Sequence, residues 1–175
     1  MDAERANSKL EEMKKLISKF PRCVESRTVY AQMLAEQSLF SEADDQFLEV
    51  LRLSPGSGMF YAQRAMLVLR WKQDREMAVE ILKEGIKIDS QCGTIHELLS
   101  QLALELGDFD SAIVHLERAI QLSNNLIERK HLFGLHMGAT AQREVCLIYG
   151  ISREEIKAWH EACQAKMLMA MQGVR

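Results

Sequence analysis

The sequence predicts an all-α protein, a right-handed superhelical array of helical hairpins closed by an extra carboxyl-terminal helix. Three observations carry that prediction. The only two prolines, Pro21 and Pro55, stand one helical-hairpin repeat apart, about 34 residues. Small residues recur at nearly the same interval, Ala43, Ala78 and Ala112 being spaced by 35 and 34. Between them, large apolar residues return at three- and four-residue steps, which is the period of one helix face.

Composition bounds the classes that remain. A chain of 175 residues, 47% apolar and 27% charged with 2 prolines and 9 glycines, has the size of one domain and the balance of a folded protein rather than a disordered one. A net charge of −3 offers no electrostatic case for nucleic acid or anionic membrane surfaces, whose phosphates demand clustered lysine and arginine. Cys23, Cys92, Cys146 and Cys163 are widely separated along the chain, so no C-x-x-C pair stands ready for zinc or thiol exchange. Free thiols in a reducing compartment are expected. Asp2, Glu4 and Arg5 occupy the place of a secretory signal's apolar stretch, and no run of about 18 apolar residues appears; a soluble, intracellular chain is expected.

Taken in order, residues 2–19 place Leu10, Met13, Leu16, Ile17 and Phe20 at helical spacing around the end of the segment, and read as the second helix of a repeat whose first helix is absent. Residues 24–57 form the first full repeat, with Tyr30 and Ala31 at its seventh and eighth positions, Ala43 at the twentieth, Phe47 at the twenty-fourth and Pro55 at the thirty-second. Residues 58–92 repeat the pattern through Tyr61, Ala65, Ala78, Leu82 and Gly85, with one residue inserted between Trp71 and Arg75. Residues 93–125 repeat it again through Leu99, Ser100, Gly107, Ala112, Leu116 and Ala119. Small residues let the two helices of a hairpin approach, and large ones fill the groove of the neighbouring hairpin. Residues 126–149 are a long helix ended by Gly150. In 152–172, Ser152 and Glu155 make a capping box for a last helix, whose Ile156, Trp159, Cys163, Met167 and Met171 share a face suited to capping the array. One hairpin alone cannot offset roughly 1–2 kcal/mol of backbone entropy per residue, so stability has to come from stacking within a single domain, 1–175.

These slots resemble those of the tetratricopeptide repeat, a helix-turn-helix unit of about 34 residues. The resemblance implies that the inner face of the array is lined by the second, fifth, ninth, twelfth and thirteenth positions of each first helix. Here those are Glu25, Thr28, Gln32, Ala35 and Glu36; Met59, Ala62, Met66, Leu69 and Arg70; and Thr94, Glu97, Gln101, Leu104 and Glu105. The family's clamp for acidic chaperone tails needs lysine, asparagine and arginine at the fifth and ninth positions. Thr28, Gln32, Ala62, Met66, Glu97 and Gln101 include no basic residue, so no chaperone-tail clamp is expected. An apolar centre of Ala62, Met66 and Leu69 flanked by glutamine and glutamate instead suits a hydrophobic peptide. The expected site comprises Glu25, Thr28, Gln32, Ala62, Met66, Leu69, Arg70, Glu97, Gln101, Leu104 and, from the long helix, Leu135. Two or three apolar anchors at about 1.5–3 kcal/mol each, less ordering costs, give affinity nearer micromolar than nanomolar. The other reading is a structural scaffold whose groove is filled by its own last helix or a partner.

Enzyme chemistry finds no support in the sequence. His96, His115, His131, His136 and His160 form no H-E-x-x-H pair, and His131 and His136 are about 140° apart round a helix. Glu11 with Glu12, Asp44 with Asp45 and Glu154 with Glu155 are adjacent, so they diverge by about 100° and make poor acid–base dyads. No glycine-rich phosphate loop occurs, and neither metal nor cofactor is expected.

Five segments carry a closer resemblance: "KFPRC" at Lys19 to Cys23, "YAQ" at Tyr30 to Gln32, "WKQD" at Trp71 to Asp74, "KIDSQC" at Lys87 to Cys92, and "HLFGL" through "AQREV" at His131 to Val145. From Lys19 to Gly150 the chain is similar to the carboxyl-terminal part of the seventy-kilodalton preprotein receptors of the mitochondrial outer-membrane translocase. That similarity implies a receptor at the cytosolic face of the outer membrane, holding hydrophobic internal targeting segments of precursor polypeptides and working with other import-machinery subunits. The family's chaperone clamp and membrane anchor lie upstream of the similar part, so the sequence reads as a fragment or a shortened relative without a transmembrane segment of its own. The helix from Ser152 to Gln172 departs from the family's usual short ending.

Overall fold

The computed structural model describes residues 2–172, with side chains placed at residues 8–163, 165, 166 and 169. Met167 and Met171, assigned by the sequence to the apolar face of the last helix, are outside the described side chains. Among the described residues the chain is all helix: α1 Asp2–Lys19, α2 Val24–Glu36, α3 Phe40–Leu53, α4 Gly58–Lys72, α5 Arg75–Ile88, α6 Gly93–Glu105, α7 Phe109–Leu122, α8 Leu126–Tyr149 and α9 Arg153–Gln172. Contacts divide it into two compact units, residues 1–95 and 96–175, and the boundary falls within the first turn of α6.

The helices break where the chain must reverse. Ser38, Gln73 and Gly107 adopt left-handed φ values of 63°, 54° and 68°, each closing the turn between the two helices of a hairpin. They recur at the same spacing as Ala43, Ala78 and Ala112. A left-handed residue costs least at glycine, and only Gly107 of the three is one. After two of the turns an aspartate caps the next helix: Asp74 Oδ1 accepts from the Met77 amide at 2.8 Å, and Asp108 Oδ1 from the Ser111 amide at 3.2 Å. Such caps satisfy backbone donors that the helix itself cannot. In the second repeat, which carries the inserted residue, α4 has 15 residues, against 13 in α2 and α6. Trp71, one of the two further residues at the end of α4, stacks on Phe40 with ring centroids 6.3 Å apart.

In the first unit α1 packs on α2, α2 on α3, α3 on α4 and α4 on α5. Ala31, Ala43, Ala65 and Ala78 are wholly buried, so the small repeat positions mark the closest helix approaches. Leu10 of α1 joins Leu34, Phe47 and Leu67 in one core cluster, and α1 thereby covers the apolar edge of α2. Arg64 of α4 clasps Asp44 of α3 through two hydrogen bonds of 2.7 and 3.3 Å, and Arg27 of α2 donates to Gln46 of α3 at 2.8 Å.

In the second unit α7 packs on α8, around Leu116, Ala119, Leu132 and Ala139. His96 of α6 meets His115 of α7 with Nδ1 atoms 3.1 Å apart. The helix α8 starts at Asn125, whose Oδ1 accepts from the Ile127 and Glu128 amides, and stops at Gly150 with φ 65°. For α9 the capping box forms as its sequence implies. Glu155 Oε2 accepts from the Ser152 amide at 2.8 Å and the Ser152 hydroxyl at 2.9 Å, and the hydroxyl oxygen accepts from the Glu155 amide at 3.2 Å. Ile156 of α9 sits over Gly107, and Arg153 donates to the Leu106 carbonyl and pairs with Asp108. All four cysteines carry free thiols, Cys92 being buried.

Candidate functional site

Within the first unit, α2 and α4 border a cavity of about 380 Å³. Gln32, Ala35 and Glu36 come from the last turns of α2; Gln63, Met66 and Arg70 come from one face of α4, at helical steps of three and four. Phe47 of α3 and Leu67 of α4, both buried, complete the wall. The alternation of small Ala35 with large Met66 leaves the hollow: an alanine where a leucine would fill the gap, opposite a methionine that stays 52% exposed. Methionine's unbranched thioether adapts to irregular partners.

Polar groups ring this apolar floor. Glu36 and Arg70 are exposed on the rim with opposite charges. The Arg70 guanidinium lies over the Phe40 ring, 5.6 Å from its centroid, a cation–π placement that limits the swing of a long side chain. The Gln63 Oε1 atom is buried without a hydrogen-bond partner in the protein. An orphaned amide oxygen costs free energy until a donor reaches it, so the wall holds an unmet hydrogen-bond capacity beside its oily floor. Such a surface can grip an apolar side chain and one or two peptide groups.

The sequence-derived site is distributed as follows. Gln32, Met66 and Arg70 converge on the cavity. Glu25 and Thr28 lie two turns and one turn earlier on α2, Glu25 exposed and Thr28 half-buried with its hydroxyl donating to the Val24 carbonyl at 2.9 Å. Leu69 is half-buried and not part of the cavity wall. Ala62 is wholly buried; its methyl belongs to the packing beneath the face. Glu97, Gln101, Leu104 and Leu135 belong to the second unit, where Leu104 and Leu135 pack against the core cluster around Leu116 and Leu132. Gln63 and Leu67 escaped the positional reading, since they occupy the sixth and tenth slots of their helix. Their signal was available in the steps linking Gln63, Met66 and Arg70. Among the described residues no group of three or more His, Cys, Asp or Glu side chains is arranged to hold a metal ion, and no helix is long and apolar enough to cross a membrane.

Fold and repeat together define the class: an all-α chain of helical hairpins that carries the tetratricopeptide repeat. The tetratricopeptide-repeat family model matches residues 94–126. Over 136 residues the chain is 35% identical to the mitochondrial import receptor subunit TOM70 of Mus musculus, and the Homo sapiens protein matches equally; the alignment covers 78% of this chain and 22% of the relative. The chain thus spans about a fifth of the length of the curated relatives it matches. Among solved structures, the crystal structure of yeast Tom70 superposes with a TM-score of 0.67 at 20% identity, covering 77% of this chain and 29% of that one. The Yersinia enterocolitica secretion chaperone SycD, in complex with a peptide of the translocator YopD, superposes with a TM-score of 0.58 at 15% identity, covering 68% of this chain and 93% of that one.

Proposed function

We propose that the chain is a polypeptide-binding receptor module of mitochondrial protein import, working at the cytosolic face of the outer membrane and holding hydrophobic internal targeting segments of precursor polypeptides. The resemblance to TOM70 supports the setting. The observation that carries the binding reading is the α2–α4 cavity, where an uncovered Met66 stands over a buried apolar floor with an unsatisfied amide oxygen in the wall. The same reading extends to Glu25, Thr28 and Leu69 at its margins and, within the second unit taken by itself, to Glu97, Gln101, Leu104 and Leu135 as polypeptide contacts. Other subunits of the import machinery are the expected recipients.

The test is a titration of fluorescent peptides from a hydrophobic carrier precursor into the chain and into its Met66→Asp variant. Saturable micromolar binding that the variant weakens more than tenfold supports the proposal; identical curves defeat it.

A second reading, a structural scaffold with a partner lodged on it, is favoured by one feature of α8. Phe133, Met137, Val145 and Ile148 are between 47% and 74% exposed and recur along that helix at steps of four, eight and three. Deleting residues 152–175 separates the readings: a scaffold loses solubility or assembly, whereas a receptor keeps its peptide affinity.

A further inference from the structure

The second unit holds a larger cavity, about 510 Å³, between the start of α7, the carboxyl-terminal half of α8 and the first turns of α9. Its floor is apolar: Phe109, Val145, Cys146, Ile156 and Trp159 come from three helices. That volume is in the range of sites that enclose small ligands or large side chains. Trp159 is 64% exposed, although it is the largest apolar side chain of α9 and stands beside an open hollow.

The chemistry of the rim is one-sided. The His160 Nδ1 atom is 2.9 Å from the Glu105 carbonyl oxygen, and a carbonyl only accepts. The Nδ1 atom therefore carries the proton, and the ring is held beside the cavity by that bond. Glu155 is the rim's carboxylate, and the hydrogen bonds from Ser152 hold its pKa below the ordinary value, so it is an anion at neutral pH. The Trp159 ring lies tilted against the His160 ring at 5.3 Å, and indole is the best cation–π partner among side chains. No lysine or arginine lines the cavity. The arginines on neighbouring turns are engaged, Arg143 by Asp110 and Glu144 and Arg153 by Asp108. An oily floor edged by an anion and an indole face, with no cation in the lining, complements a group that is apolar at one end and a cationic donor at the other.

We propose that this cavity is a second polypeptide-binding site, taking a large apolar side chain that is followed directly by a lysine or arginine. The apolar side chain fills the space over Phe109 and Ile156, and the cation lies between Glu155 and Trp159. The site uses none of the residues of the α2–α4 cavity and works whether or not that one does.

Calorimetric titrations of the full chain test it. They are run in the Met66→Asp background so that the first cavity contributes nothing. The probes are the acetylated, amidated heptapeptide Gly-Gly-Leu-Phe-Lys-Gly-Gly and its counterpart with glutamate in place of lysine. The lysine peptide is expected to bind at least about fivefold more tightly, the yield of one exposed ion pair and one cation–π contact. Glu155→Gln should abolish that preference while keeping α9 capped, because glutamine serves equally in a capping box. Ala141→Trp should fill the cavity and remove binding of both peptides. The lysine peptide should also slow alkylation of Cys146 by iodoacetamide, mapped by mass spectrometry on the Met66→Asp chain, which decides the matter even if Ala141→Trp does not fold. Equal affinity for the two peptides, undiminished binding to a folded Ala141→Trp protein, or unprotected Cys146 overturns the proposal.

Discussion

Two kinds of glycine in this protein respond in opposite directions to the same substitution. Gly85 lies inside α5, where an added Cβ would stand 2.7 Å from Tyr61 Cβ and 2.7 Å from Ile95 Cδ1. Helix propensity alone favours alanine over glycine by about 1 kcal/mol. Against this, carbon atoms rest about 3.5–4.0 Å apart, so the new methyl needs most of an ångström that the site lacks. The Ile95 methyl can rotate away, but Tyr61 Cβ is anchored directly to the backbone of α4, and α4 and α5 must part to relieve it. Overpacking of this kind costs about 1–3 kcal/mol; two contacts at 2.7 Å put this site in the upper part of that range, about 2–3 kcal/mol, so after the gain in propensity Gly85→Ala is expected to lose roughly 1–2 kcal/mol net. Gly134 and Gly138, inside α8, have nothing within 4 Å of an added Cβ. Only the propensity acts there, and Gly134→Ala is expected to gain about 0.5–1 kcal/mol. Urea denaturation followed by far-ultraviolet circular dichroism measures both. A Gly85→Ala protein as stable as the parent would show that α4 and α5 are not pressed together at Tyr61, and the close-packing argument for the small repeat positions would fail with it.

Other perturbations probe the site and its supports. Met66 is half exposed, so Met66→Asp should change the denaturation midpoint little, within about 0.5 kcal/mol for a surface position, while costing peptide affinity about 2 kcal/mol through one lost anchor; comparing the two on one preparation separates a binding role from a folding one. Asp44→Ala leaves the Arg64 guanidinium, whose side chain is only 20% exposed, without its bidentate partner, and a loss of about 2 kcal/mol in thermal or urea denaturation is expected. The Glu155 carboxyl is held below its ordinary value of 4.5 by the Ser152 amide first and the Ser152 hydroxyl second. A depressed folded-state pKa contributes stability above the unfolded value that disappears as pH falls through the folded one. Amide exchange in the first turn of α9 should therefore accelerate as pH drops below 4.5, after correction for intrinsic rates, and Glu155→Gln should flatten that dependence.

Much of the architecture could be read from residue size and spacing, because helical repeats are built from near-neighbour contacts. Ala43, Ala78 and Ala112 are wholly buried, and their recurrence could be counted without coordinates. Ser152, Glu155 and Gly150 declared a cap and a stop within a few residues of one another, and local hydrogen bonds of that sort need no tertiary context. The candidate site was legible only in part. Gln32, Met66 and Arg70 were named from repeat position and meet at one cavity. Ala62 was named by the same rule and is buried, because the rule gives a direction round the helix axis and not the depth of the neighbouring helix.

The sequence by itself determined that the chain coils into helices, where each begins and turns back, and which small residues face a neighbour, since all of these follow from periodicity, capping chemistry and side-chain volume along one stretch of chain. Tertiary structure decided which apolar side chains stay uncovered. The two cavities exist because Ala35 is set opposite Met66, and because Phe109, Val145 and Trp159 meet round a space that none of them fills. Such hollows depend on distances between helices that are remote in sequence, and no local pattern of residues encodes them.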